Sequence, residues 1–74
     1  MKNLLTAAYA VFLIGSVDNI EDGLAAVEIT DSNYKTRFVD IPIELFPCEI
    51  GEGDMFYFSN VDGVTEIRCG EPGE

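Results

Sequence analysis

Residues 38–58 read FVDIPIELFPCEIGEGDMFYF, and the parsing of this stretch decides the fold. Val39 and Ile41 alternate with Phe38 and Asp40, the period-2 pattern of a strand with one covered face. Pro42 has no backbone N–H to give to a ladder, so the strand stops there. Ile43-Glu44-Leu45-Phe46, closed off by Pro47, has room for one helical turn and no more. Its apolar side chains, Leu45 foremost and Phe46 beside it, are expected to plug one end of a barrel. Gly51-Glu52-Gly53-Asp54 is then a tight loop, and Met55 opens a second strand rich in aromatics.

Downstream, Asp62-Gly63 between Val61 and Val64 is the strongest hairpin signal in the chain. A two-residue turn there pairs Phe58 with Ile67 and Phe56 with Cys69 on the core face. The other face receives Tyr57 opposite Arg68 and Ser59 opposite Glu66. Tyr57 and Arg68 form a surface pair in which the guanidinium is expected to stack on the ring. The tail from Glu71 is polar.

Upstream, Glu21-Asp22-Gly23 reads as a three-residue hairpin loop that pairs Ile20 with Leu24. Counting back, Val17 faces Val27 and Gly15 faces Ile29, with Asp18 and Glu28 on the opposite face. A two-residue loop would set Val17 against Glu28 and mix the faces, so the longer loop sorts polar from apolar better. Leu13, Val11 and Ala25 join the inner face, which leaves Phe12 and Ile14 pointing outward. A strand apolar on both faces calls for cover on both sides. Asp31-Ser32-Asn33 is a turn, and the strand 34–41 that follows sends Phe38 outward too. Phe12, Ile14 and Phe38 are therefore the candidate interface residues, covered either by the N-terminal turn folding back or by a second subunit.

Five short strands with one short helical turn predict an all-β chain, a small five-stranded SH3-like barrel with an OB-type barrel as the alternative. The 74 residues make one domain, with residues 1–8 an N-terminal extension. Chains of this size bury only about 60–65% of their unfolded surface, so a staple or a partner subunit is a common need.

The opening MKNLLTAAYAVFLI resembles a short secretory signal, with Ala8-Tyr9-Ala10 in the A-x-A form. Cleavage there leaves almost no apolar stretch ahead of it, and later cleavage cuts into the first strand. A retained segment and a cytoplasmic location are expected, with export as the alternative. The apolar run falls short of the roughly 20 residues of a membrane-spanning helix.

The formal net charge of −10 rests on 14 carboxylates against Lys2, Lys35, Arg37 and Arg68. No basic cluster exists to replace counterions on a phosphate backbone or to sit on anionic lipid, so neither nucleic acid nor membrane is an expected partner. An acidic surface suits a basic protein partner instead. Two cysteines and no histidine cannot complete a four-ligand zinc site or form a Cys–His nucleophile pair. Cys48 and Cys69 are expected to be reduced apolar fillers, a disulfide being the alternative in an oxidising compartment.

Glu49, Glu52 and Asp54 crowd one glycine loop but lack the spaced ligands of a calcium loop. Asp18, Glu28, Glu44 and Glu66 fall on outer faces and read as solvated charge. Phosphate-loop, nucleophile-elbow and zincin motifs are missing, and a barrel this small leaves no room for a pocket of about 300 Å³ in its core. No catalytic residue, metal or cofactor is expected, nor an enzyme.

Val17-Asp18-x-Ile20-Glu21, Ala26-Val27, Val39-Asp40-Ile41-Pro42, Leu45, Pro47 and Glu52-Gly53-Asp54 occur in that order. Over residues 17–58 this resembles a small bacterial domain-of-unknown-function family that reads V-D-R-x-E, A-V, V-D-V-P-x-x-x-L-P and E-G-D. Asn19 stands where that family has a basic residue. The resemblance implies a small β-barrel and no activity. The function expected is a non-enzymatic interaction module that self-associates and binds a protein partner. The alternative is a structural or accessory phage or envelope protein with an export signal in residues 1–15.

Overall fold

The computed structural model describes residues 9–72, with side chains from residue 13 onward. The N-terminal extension of residues 1–8 and the side chain of Phe12 lie outside the described residues. The chain is all-β: β1 (Tyr9–Glu21), β2 (Leu24–Asp31), β3 (Thr36–Pro42), a 3₁₀ turn (Ile43–Leu45), β4 (Met55–Val61) and β5 (Val64–Cys69). They form one antiparallel sheet in the order β3-β2-β1-β4-β5. The fourth strand returns to lie beside the first, which is a Greek-key step. A five-stranded, partly open Greek-key barrel with its turn between β3 and β4 is the arrangement of the OB-type alternative.

β1 is the shared strand. Its residues 13–21 pair with β2 and its residues 9–16 with β4, so the middle of β1 is flanked on both sides. β3 and β5 are the two edges. The sheet coils enough that Ile41 of β3 and Ile67 of β5 both pack on the same core of Val17, Ala25, Val27, Phe46 and Phe56. Phe56 is fully buried, and its ring lies over Gly15, where an added Cβ would stand 2.3 Å from Cζ. The glycine is thus needed for close approach of ring and strand. Phe46 meets Phe56 edge-on with ring centroids 5.1 Å apart, and Phe58 continues the stack at 6.0 Å.

Five expectations are corrected. The plug at the end of the barrel is Phe46, 6% exposed, whereas Leu45 is 59% exposed. The short turn ends at Leu45, and the extended backbone of Phe46 is what swings the next side chain inward.

The first hairpin has a two-residue loop, Asp22-Gly23, with Glu21 opposite Leu24 and Ile20 opposite Ala25. The register still restores Val17 opposite Val27, because a bulge at Asp18 supplies the extra residue. It also turns Ile20 toward the core, which unbroken alternation would not do.

The third strand begins at Thr36, not Tyr34. The Asp31 carboxylate accepts the N–H groups of Asn33 and Lys35, and this holds the loop closed with Tyr34 at φ 61.

Ser59 lies on the face expected to be outer, yet it is buried, with Arg68 Nε donating to its Oγ at 3.3 Å. The long arginine side chain folds back over the strand and covers the hydroxyl.

Cys48 and Cys69 are joined in a disulfide, Cα atoms 6.5 Å apart, and are not reduced fillers. The core-face position of Cys69 opposite Phe56 and the turn beyond Phe46 bring the thiols together.

Candidate functional site

The outward face of the sheet carries the residues expected to form an interface. One cross-strand row runs Phe38, Glu28, Ser16, Met55, and the next runs Thr36, Thr30, Ile14, Tyr57, Arg68. Ile14 is exposed and sits directly beside Tyr57. Phe38, 73% exposed on edge strand β3, is two strands and one same-face row away from Ile14, about 12 Å in the plane of the sheet. Glu28 and Thr30 stand between them, and the Thr30 and Thr36 hydroxyls are hydrogen-bonded at 3.0 Å. The face is thus two apolar spots with a polar seam. Tyr57 and Arg68 are direct cross-strand neighbours as expected, and the guanidinium also donates to Glu66 at 3.1 Å.

The acidic loop is occupied with its own backbone. Asp54 accepts the Gly51 N–H at 2.8 Å, and Glu52 accepts the Ile20 N–H at 3.2 Å. The Gly53 N–H and the Asp54 carbonyl bond the backbone of Val17, extending the β1 ladder past the end of β4. These carboxylates hold the loop against the bulged part of β1. No group of three or more carboxylates or thiols converges as a metal site among the described residues.

The carboxyls of Asp18 and Glu28 do meet. The hydrogen bond that protonated Glu28 donates to Asp18, then the Asp18 charge, and lastly desolvation raise the Glu28 carboxyl above the usual glutamate range. Asp18 sits at the register shift one residue beyond Val17, and Glu28 lies opposite Ser16 on the adjacent strand.

The inner face holds a feature that alternation alone did not reveal. Beyond the core, where β3 and β5 are not paired, a cleft of about 430 Å³ opens against the inner side of β1, β2 and β3. Its floor is aliphatic, from Leu13, Ile29 and Val39, and its rim carries Asp31, Lys35 and Arg37. Arg37 shares the parity of Val39 and Ile41 and lies directly opposite Ile29, so it is a cation on the core side of the sheet. Asp31 is already committed to the loop, which leaves the two cations facing an apolar surface. Neither has an acidic partner among the described residues. The signal is in the sequence: Arg37-x-Val39-x-Ile41 puts an arginine in phase with the core.

Next to this cleft Tyr34 is 89% exposed and held in the left-handed region. That conformation costs a non-glycine residue roughly 1–2 kcal/mol, and such outliers gather at working sites.

Comparison with known protein families, with curated proteins and with solved structures returns no match. The fold and the two faces of the sheet carry the functional argument.

Proposed function

We propose that the chain is a small acidic, non-enzymatic interaction module that self-associates through its outward face at the β3 edge and binds a protein partner. The observation that carries this reading is Phe38: a large aromatic, mostly exposed, on a strand that among the described residues has a strand neighbour on one side only. An open edge with an aromatic beside it is a template for a further strand. Pairing β3 with β3 of a second copy, centred on Phe38, preserves the two-fold symmetry of a homodimer and sets the two Phe38 rings opposite each other. Ile14 lies on the same face two strands inside the edge, a separate apolar spot, while Phe12, the third candidate, has no described side chain. The net charge of −10 supports a basic protein as the heterologous partner. Engagement of Glu52 and Asp54 by backbone amides supports the non-enzymatic part.

Light scattering coupled to gel filtration tests the first half. The wild type is expected to run as a dimer and Phe38→Asp as a monomer of unchanged thermal stability. A wild type that stays monomeric up to about 1 mM overturns the reading, because that limit excludes all but millimolar association.

A second reading, a structural or accessory exported protein, is favoured by the Cys48–Cys69 disulfide, since such bonds persist in oxidising compartments. Thiol trapping in the native host separates this from a cytoplasmic location. Cysteines that react fully before reduction place the chain in the cytoplasm, and protected cysteines place it outside.

A further inference from the structure

We propose that the inner-face cleft is a binding site for a linear alkyl carboxylate. It is a small-molecule site independent of the outward face. The lining is of two chemical kinds, aliphatic and charged, which meet across the strands: Leu13 is opposite Asp31 and Ile29 opposite Arg37. Leu13, Ile29 and Val39 offer only aliphatic surface, with no polar side chain among them to select a hydroxyl or an amide. Lys35 and Arg37 line it from the loop before β3 and from β3 itself, and Asp31 lines it from the end of β2. A ligand complementary to both has an unbranched apolar stem and one anionic end.

Charge sharpens the assignment. The chain carries ten more negative than positive charges, yet two of its four cations meet at this apolar cleft. Arg68 is engaged by Glu66 and Ser59 on the other face. Arg37 and Lys35 have no carboxylate to neutralise them among the described residues, and Asp31 is turned to its own loop amides. A guanidinium accepts a carboxylate through two parallel N–H donors, which suits a carboxylate head better than a lone amine would. The volume of 430 Å³ lies within the range of about 300–1,000 Å³ usual for small-molecule sites. The mouth lies where β3 and β5 are not paired with each other, a gap that pairing of β3 with a strand of a second copy does not require to close.

The test uses the full chain and dodecanoate below its micelle concentration. Calorimetry is expected to give saturable one-to-one binding, and backbone amide shifts are expected to cluster at Leu13, Ile29, Arg37 and Val39. Dodecyltrimethylammonium, with the same stem and the opposite head, and butyrate, with the head and a short stem, are each expected to bind at least about tenfold more weakly. Lys35→Gln with Arg37→Gln, both on exposed positions, is expected to weaken dodecanoate by about tenfold or more while leaving the melting temperature in place. Equal binding of the ammonium amphiphile, shifts confined to the outward face, or no saturable heat overturns the proposal. Co-sedimentation with phosphatidylglycerol vesicles together with no binding of free dodecanoate also overturns it, in favour of a lipid surface.

Discussion

Asp22-Gly23 and Asp62-Gly63 adopt nearly the same left-handed backbone, φ 53 and 78 in the first hairpin, 52 and 83 in the second. Both are two-residue turns of the kind whose twist matches the flanking strands. From the second turn, β4 and β5 pair without interruption from Val61–Val64 back to Phe56–Cys69. From the first, β1 and β2 pair for three residues and then slip by one at Asp18. The difference teaches what a local signal determines. A turn sets the register of the residues next to it, and tertiary demands can reset it further along. In the second hairpin nothing intervenes. In the first, β1 has to present Ile20 to the core, dock the acidic loop at Val17 and pack Gly15 under Phe56.

The largest expected way to break this contrast is at the disulfide, which anchors the regular hairpin to the turn after β3. It closes a loop across a sequence separation of 21, and bridging a loop of that size stabilises a small domain by about 3 kcal/mol. Cys48→Ser with Cys69→Ser is expected to lose that amount in urea unfolding. A loss below about 1 kcal/mol would show that β5 is held by its ladder alone.

Next in size is Gly15→Ala in the irregular hairpin. The new methyl meets the Phe56 ring, and overpacking of this kind costs about 1–3 kcal/mol. Combining it with Phe56→Leu should cost less than the sum of the two single changes, since the smaller side chain vacates the clash. Strict additivity in a double-mutant cycle would remove Gly15 as the reason β1 and β4 approach so closely.

The smallest effect belongs to the bulge. The raised Glu28 pKa means the folded chain holds that proton more tightly than the unfolded chain does. This pair therefore favours folding below the ordinary glutamate range, and the advantage is lost as pH rises through the shifted value. Glu28→Gln is expected to raise the melting temperature slightly at pH 7 and to flatten stability against pH just above the ordinary range. A pH profile parallel to that of the wild type contradicts the pairing of Asp18 with Glu28.

The same contrast explains what was legible. The cross-strand partners of Tyr57, Phe58 and Ser59 followed from the Asp-Gly dipeptide and alternation alone. Val17 opposite Val27 and Gly15 opposite Ile29 were also legible, through a three-residue loop the chain does not use. Loop and bulge each contribute one extra residue, so beyond Asp18 they give the same pairs. Leu45 and Phe46 were adjacent apolar residues that only the end of a 3₁₀ turn could tell apart. The inner cleft stayed hidden because it depends on which edges remain unpaired, a property of strand order that no single segment encodes.

The bulge at Asp18 has one more consequence, for lengths rather than contacts. Removing a residue from inside a strand normally turns everything beyond it inside out. Here Val17 and Asn19 already face consecutive residues, Val27 and Ala26, so Asp18 is a spare link. The chain shortened by that one residue keeps every pair on either side of it. A central strand thus contains a point where the gene can lose a codon without losing the fold.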